Sequence, residues 1–272
     1  MDMLHRLKTA LGAGALALAL IAATSAAPTR AEAASLADIQ SRGTVRIGVL
    51  TGAPPMGMID SQGNPTGYDV DVANLVAQYL GLPVQLVPLT PPARIPALQT
   101  GQVDFLVATL APTGERAKTV MFTAPYSAFN MVVVSGPDQK FESLDSLKGK
   151  RIAVNRGSSQ EAALRRANVE GLEIVVYEDD STSAQALLSG QTDATALPST
   201  VADGLMKQMP DAKLQVGFTF FRQGNSMAVL PTDFELHQYL NTAIYLMKVS
   251  GDLDKIAVKW TGAPLPPTLP SF

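Results

Sequence analysis

Apolar residues alternate at Val45, Ile47 and Val49 within Thr44 to Leu50, which predicts a first strand, and the two prolines in Gly52 to Gly57 end it. The period then changes. Val72, Ala73, Val76 and Leu80 recur at helical spacing behind Asp69, which is placed to cap the helix, and Gly81 stands where a left-handed terminal residue is wanted. Val84 to Leu89 reads as a second strand, Arg94 to Thr100 as a short helix, and the apolar run Val103 to Ala108 as a third strand buried on both faces. The order β-α-β-α-β is that of a parallel, doubly wound unit.

A second unit of the same kind follows Leu144. Arg151 to Val154 predicts a strand, Gly157-Ser158-Ser159 a turn, Gln160 to Ala167 a helix, Leu172 to Tyr177 a strand, Thr182 to Leu188 a helix and Thr192 to Leu197 another strand. Apolar runs at Met131 to Ser135 and Ser226 to Leu230 lie at either end of this unit, where the chain passes between two bodies. Asp233 to Val249 and Leu253 to Trp260 are helical by pattern and are expected to return to the first body. The predicted fold class is therefore α/β with two lobes, each a small, mostly parallel sheet flanked by helices. The crossings are placed near Pro125-Tyr126 and Pro231-Thr232, and the ligand cleft lies between the lobes at the carboxyl ends of the strands. The boundaries are 34–124 for the first part of lobe one, 125–231 for lobe two and 232–272 for the returning segment, whose Pro264 to Pro270 tail reads as extended surface chain.

Residues 1–33 are read as a leader, with Arg6 and Lys8 before the apolar run Ala10 to Ala23 and a small-residue cleavage site at Ala31-Glu32-Ala33. A cut after Ala27 is nearly as good. The run is too short and alanine-rich to anchor the chain in a membrane, so an exported, periplasmic protein is expected. The whole chain carries 21 basic and 24 acidic side chains, net −3, and removal of the leader makes it slightly more acidic. Without a basic stripe it lacks the counterion-release term that drives nucleic-acid binding, so no nucleic-acid partner is expected. The absence of cysteine excludes disulfides, thiolate chemistry and a lipid anchor on cysteine. No metal or cofactor motif and no nucleophile with its base stands out, so no cofactor is expected. His237, among Leu236, Leu240 and Ile244, reads as a helix residue satisfied by a partner, and Glu178-Asp179-Asp180 as a solvated loop.

The chemistry that remains concerns anions. Arg116 follows a buried strand and the turn residues Thr109 to Gly114, so its guanidinium can reach the crevice beyond the strand's carboxyl end. Asn155-Arg156-Gly157-Ser158-Ser159-Gln160 offers a counterpart on the other lobe, a glycine turn leading to a helix amino terminus with free N–H groups. Ser158 or Ser159 is also a natural N-cap, because capping and anion binding use the same geometry.

From Ser35 to Gly262 the chain resembles the family 3 extracellular solute-binding proteins, the polar amino-acid receptors of ABC importers. The matching residues are Gly48-Val49, Pro54-Pro55, Gly67-Tyr68-Asp69-Val70-Asp71, Arg94-Ile95-Pro96-Ala97-Leu98, Gly101 to Asp104, Thr113-Gly114-Glu115-Arg116, Pro125-Tyr126, Leu147-Lys148-Gly149-Lys150, Gly157-Ser158, Gly190-Gln191-Thr192-Asp193-Ala194 and Lys259-Trp260-Thr261-Gly262. The set is specific although each string alone is weak. The resemblance implies a type II periplasmic-binding-protein-like fold, capture of an amino acid or related small carboxylate, delivery to an importer permease, and a monomer. It makes Arg116 the carboxylate-binding arginine and sets Ser158 in the anion turn of lobe two, with Gly157 and Ser159 beside it.

The departures from the family pattern are specific. Thr109 stands at a position usually glycine and Ala111 at one usually threonine or serine, with Leu110 between them. The family's Asp-Ala-x-x-x-Asp pattern ends here in Pro198, so the aspartate that pairs with a ligand's α-ammonium is lost. Met56 and Pro91 lie where relatives place aromatic walls. These substitutions favour a small carboxylate with an apolar or weakly polar body over arginine, lysine or histidine, since an unpaired ammonium in a closed cleft costs several kcal/mol. Two other readings stay open: a cyclohexadienyl-dehydratase-like enzyme on this fold, and a soluble ligand-sensing subunit.

Overall fold

In the computed structural model, residues 35–270 are described; the expected leader, 1–33, lies outside them. In chain order the elements are α1 (Leu36–Arg42), β1 (Val45–Leu50), β2 (Met58–Ile59), β3 (Pro65–Thr66), α2 (Tyr68–Leu80), β4 (Val84–Leu89), α3 (Arg94–Gln99), β5 (Phe105–Leu110), β6 (Met121–Ser135), β7 (Arg151–Asn155), α4 (Ser159–Ala167), β8 (Glu173–Tyr177), α5 (Asp180–Leu188), β9 (Ala194–Pro198), α6 (Ser199–Gln208), β10 (Gln215–Val229), α7 (Phe234–Val249) and α8 (Asp252–Thr261).

Two parallel sets, β4-β1-β5 and β9-β7-β8, form the halves of the molecule, as the alternating strand and helix periods predict. They are not separate sheets. The long strands β6 and β10 pair antiparallel along their length and join both sets into one sheet of order β4-β1-β5-β10-β6-β9-β7-β8. Periodicity reveals only the apolar ends of these strands, because Pro125, Ser127 and Asn130 in β6 and Gly224 and Asn225 in β10 interrupt the pattern. The ladder shifts register around Asn225 and Ser226, as expected where a strand bends between two bodies.

The pairing also fixes where the chain crosses. Ser226 and Ala228 of β10 already pair with β5, whereas Met131 to Ser135 of β6 pair with β9. The second passage therefore lies upstream of Pro231-Thr232, around Arg222 to Asn225.

Each half has its own apolar packing. Ile39, Val45, Ile47, Val72, Val76 and Phe105 pack with Leu240, Ile244 and Leu253 of the C-terminal helices, while Ile152, Val154, Leu164 and Ala196 form a core in the other half. Gly81 ends α2 in the left-handed conformation at φ 69, the geometry glycine adopts without steric cost. Asp69 is not a cap: Gly67 occupies the N-cap position, and the Asp69 carboxylate turns inward.

Candidate functional site

The carboxyl ends of β5 and of β7, β8 and β9 face one another across a narrow cleft lined by Leu50, Arg94, Thr109, Arg116, Met131, Asn155, Ser158, Ser159, Gln160, Asp180, Pro198 and Gln223. Open space amounts to about 20 Å³, enough for about one water. A small solute therefore needs the halves to separate before it can enter.

Arg116 reaches this cleft. Its Nη1 donates to the Ala111 carbonyl at 2.8 Å, and its Nη2 donates across the gap to the Gly157 carbonyl at 2.8 Å. Burial draws the guanidinium's pKa down to about 10, the direction expected when a cation loses water without gaining an anion.

Gly157 therefore presents a carbonyl to Arg116, while its own N–H donates to Glu161 Oε2 at 2.8 Å. The left-handed backbone here favours glycine. Its φ is 68, and a Cβ would stand 3.5 Å from the Pro92 Cα on the facing half. Ser158 is the N-cap of α4, accepting from the Glu161 N–H at 3.1 Å. Ser159 donates from its hydroxyl to Gln223 Oε1 on the crossing strand.

Sequence reasoning passed over Arg94. It is 4% exposed, and it donates to the carbonyls of Pro91 at 2.9 Å, Ala108 at 3.0 Å and Thr109 at 3.2 Å. It also makes a long contact to Gly157 at 3.5 Å. Burial, and then repulsion from Arg116, bring its pKa down to about 9. Two guanidiniums thus converge on one carbonyl, and among the described residues no carboxylate lies within 4.0 Å of either. The sequence signals were its place in the family-matching string Arg94 to Leu98 and its position after a strand and the Pro91-Pro92 turn.

Asp180 was read as part of a solvated loop, and the structure overturns that. It is the first residue of α5 and 3% exposed, and it accepts from Gln160 Nε2 at 3.3 Å. Burial pushes its carboxyl up to about 7, against the opposing pull of Arg94. The spacing Asp179-x-x-Thr182, which forms a capping box, was the available signal, since it makes Asp180 a first-turn residue at the end of a parallel strand. The same half supplies a direct closure contact, as Ser181 donates from N and Oγ to the Gly52 carbonyl at 3.1 and 3.2 Å.

Thr109 has φ 49, a left-handed value that is strained for a β-branched residue. Two bonds hold it there. Its N–H donates to the Tyr126 hydroxyl at 3.2 Å, and its own hydroxyl donates to Asp69 at 2.5 Å. Burial raises the Asp69 carboxyl to about 6 despite the Thr109 and Tyr126 donors.

Other expected site residues lie elsewhere. Met56 is 1% exposed in the core with Tyr68 and Val70, not on the cleft wall; the loop carrying it folds inward over α2, whose Asp69 N–H donates to the Met56 carbonyl at 2.9 Å. Leu110 points into a second core cluster with Leu50 and Leu106. Pro91 is buried and contributes its carbonyl to Arg94, and Ala111 contributes its carbonyl to Arg116. Pro198 does line the cleft. His237 is satisfied by the Phe122 carbonyl at 2.9 Å. Among the described residues no metal-ligating cluster occurs and no helix is long and apolar enough to cross a membrane.

Residues 45–263 match the family described as bacterial extracellular solute-binding proteins, family 3. The L-cystine-binding protein TcyJ of Escherichia coli K12 is 31% identical over 252 residues, 92% of this chain and 94% of that one. An ancestral arginine-binding protein bound to arginine has a TM-score of 0.77 at 34% identity, covering 80% of this chain and 98% of the other. The ancestral amino acid-binding protein AncCDT-1, a precursor of cyclohexadienyl dehydratase, has a TM-score of 0.77 at 31% identity over 83% and 99% of the two chains. The two-lobed, type II periplasmic-binding-protein-like fold expected from the sequence is the fold observed.

Proposed function

The chain belongs to the bacterial extracellular solute-binding proteins of family 3, and from that membership we propose that it captures an amino acid or related small carboxylate and delivers it to an ABC importer. The observation that carries this reading is the pair Arg94 and Arg116, two cations in a nearly dry cleft with no carboxylate ion-pair partner among the described residues. An entering carboxylate relieves their repulsion, and it touches Arg116 on one half and the turn at Gly157, Ser158 and Ser159 on the other. A ligand held by both halves stabilises the closed form over the open one, and an importer reads the difference.

Lobe one is read as 34–124 with the returning C-terminal segment and lobe two as the residues between, and the pairing of Ser226 and Ala228 with β5 supports a second crossing near Arg222–Asn225 in place of Pro231-Thr232. The protein acts as a periplasmic monomer after loss of residues 1–33, with an importer permease as its partner. The ligand site comprises Arg116, Arg94, Thr109, Ser158, Ser159 and Pro198. Family relatives named for arginine, histidine and cystine support an amino-acid ligand.

Thermal-shift screening against the proteinogenic amino acids, cystine, keto acids and aromatic acids tests the proposal, because a ligand that binds only the folded protein raises its apparent stability. At least one carboxylate is expected to raise the melting temperature in a saturable manner; none doing so contradicts the reading. Turnover of prephenate or arogenate by the same sample would make the protein an enzyme instead.

A further inference from the structure

The family pattern loses its ammonium-binding aspartate at Pro198, yet the cleft is not left without a negative pole. Asn155 and Pro198 end two parallel strands of one half, and Asp180 opens the helix that follows the third. Gln160 ties two of them together, donating from Nε2 to Asn155 Oδ1 at 2.9 Å and to Asp180 Oδ1 at 3.3 Å, with a longer contact to the Ala196 carbonyl at 3.5 Å. That amide fixes the carboxylate's orientation without neutralising it. Among the described residues no lysine or arginine lies within 4.0 Å of Asp180.

A carboxylate enclosed in this way is costly unless a cation joins it. The opposite pole of the same cleft is formed by Arg94 and Arg116, which lie beyond ion-pair distance. The cleft is thus bipolar: guanidiniums from one half and a single carboxylate from the other. An α-amino acid has the complementary separation of charge.

We infer that Asp180 accepts the ammonium group of an α-amino acid whose carboxylate is held by Arg116, replacing the acceptor missing at position 198. The inference rests on the carboxylate reading above and narrows it from small carboxylates in general to zwitterions. It also reverses the expectation, drawn from Pro198, that the ligand lacks an α-ammonium.

The test is calorimetry on wild type, D180N and R116A, with the tightest-binding amino acid from the screen and its des-amino analogue. D180N keeps the shape and removes the charge, and its unfolding midpoint is measured in parallel to establish that it folds. Wild type should prefer the amino acid over the analogue by about 100-fold, and D180N should lose about 100-fold for the amino acid while holding the analogue within about 3-fold. R116A should lose both ligands.

If D180N loses both ligands equally, Asp180 is a structural counter-charge for Arg94 and the inference is overturned. Unchanged amino-acid affinity in D180N overturns it as well. Binding of des-amino acids with no amino acid bound sinks this inference and leaves the carboxylate clamp standing; binding of neither class sinks both.

Discussion

Arg116 donates from Nη2 to the carbonyl of Gly157 at 2.8 Å, a bond between residues 41 positions apart that sit on facing halves of the cleft. The arginine expected to meet a helix amino terminus meets a carbonyl instead, and Arg94 leans on the same oxygen. A carbonyl shared by two guanidiniums leaves donors on both free to turn toward a carboxylate. The closed, ligand-free cleft thus already aims both guanidiniums at one place, and four consequences can be measured.

Folding of the ligand-free protein should take up protons. Asp180, raised to about 7, and Asp69 and Asp233, each raised to about 6, still hold protons at pH values where the ordinary carboxyl of 3.8 has lost them. Their stabilising effect is fully present below about pH 4 and is lost as pH rises through 6 and 7. The denaturant midpoint should be higher at pH 5 than at pH 8. D180N should flatten the profile and raise stability at pH 8 by on the order of 3 kcal/mol, even as it weakens amino-acid binding.

Thr109 tests whether the Asp69 network holds a strained backbone. T109V keeps the β-branch at φ 49 but removes the donor to Asp69, and should cost about 1–3 kcal/mol at pH 8. The penalty should shrink at pH 5, where the Asp69 carboxyl is protonated and needs the donor less. T109G relaxes the left-handed strain and should be the milder variant. Equal loss for both at both pH values would contradict the assignment.

Met56 separates core from cleft. Because its side chain packs with Tyr68 and Val70 in the first half, M56A should lower unfolding free energy by about 2–5 kcal/mol and leave ligand selectivity unchanged. A change in the ranking of ligands would return Met56 to the binding wall.

How much of this was legible in the sequence depended on whether a residue's role was local. The parallel strands and their helices follow from apolar spacing, as at Val45, Ile47 and Val49, and the N-cap at Ser158 from a turn next to a helix. The joined sheet did not, because Pro125 and Gly224 break the period of strands whose pairing is decided by the whole fold. Asp180 failed for a related reason: an acid beside two others reads as solvated until a parallel strand places its first helical turn at the cleft. Met56 failed in the opposite direction, since a loop position cannot reveal from sequence which way its side chain turns.

The most direct measurement is the affinity of R116A for the ligand found by screening, with R116K alongside. The side chain is only partly buried and is not part of a core cluster, so both variants should fold. Loss of at least about 100-fold in R116A, with R116K also impaired because ammonium cannot reproduce the planar fork, is the predicted result. Binding within about 3-fold of wild type in R116A would contradict the clamp and the function built on it.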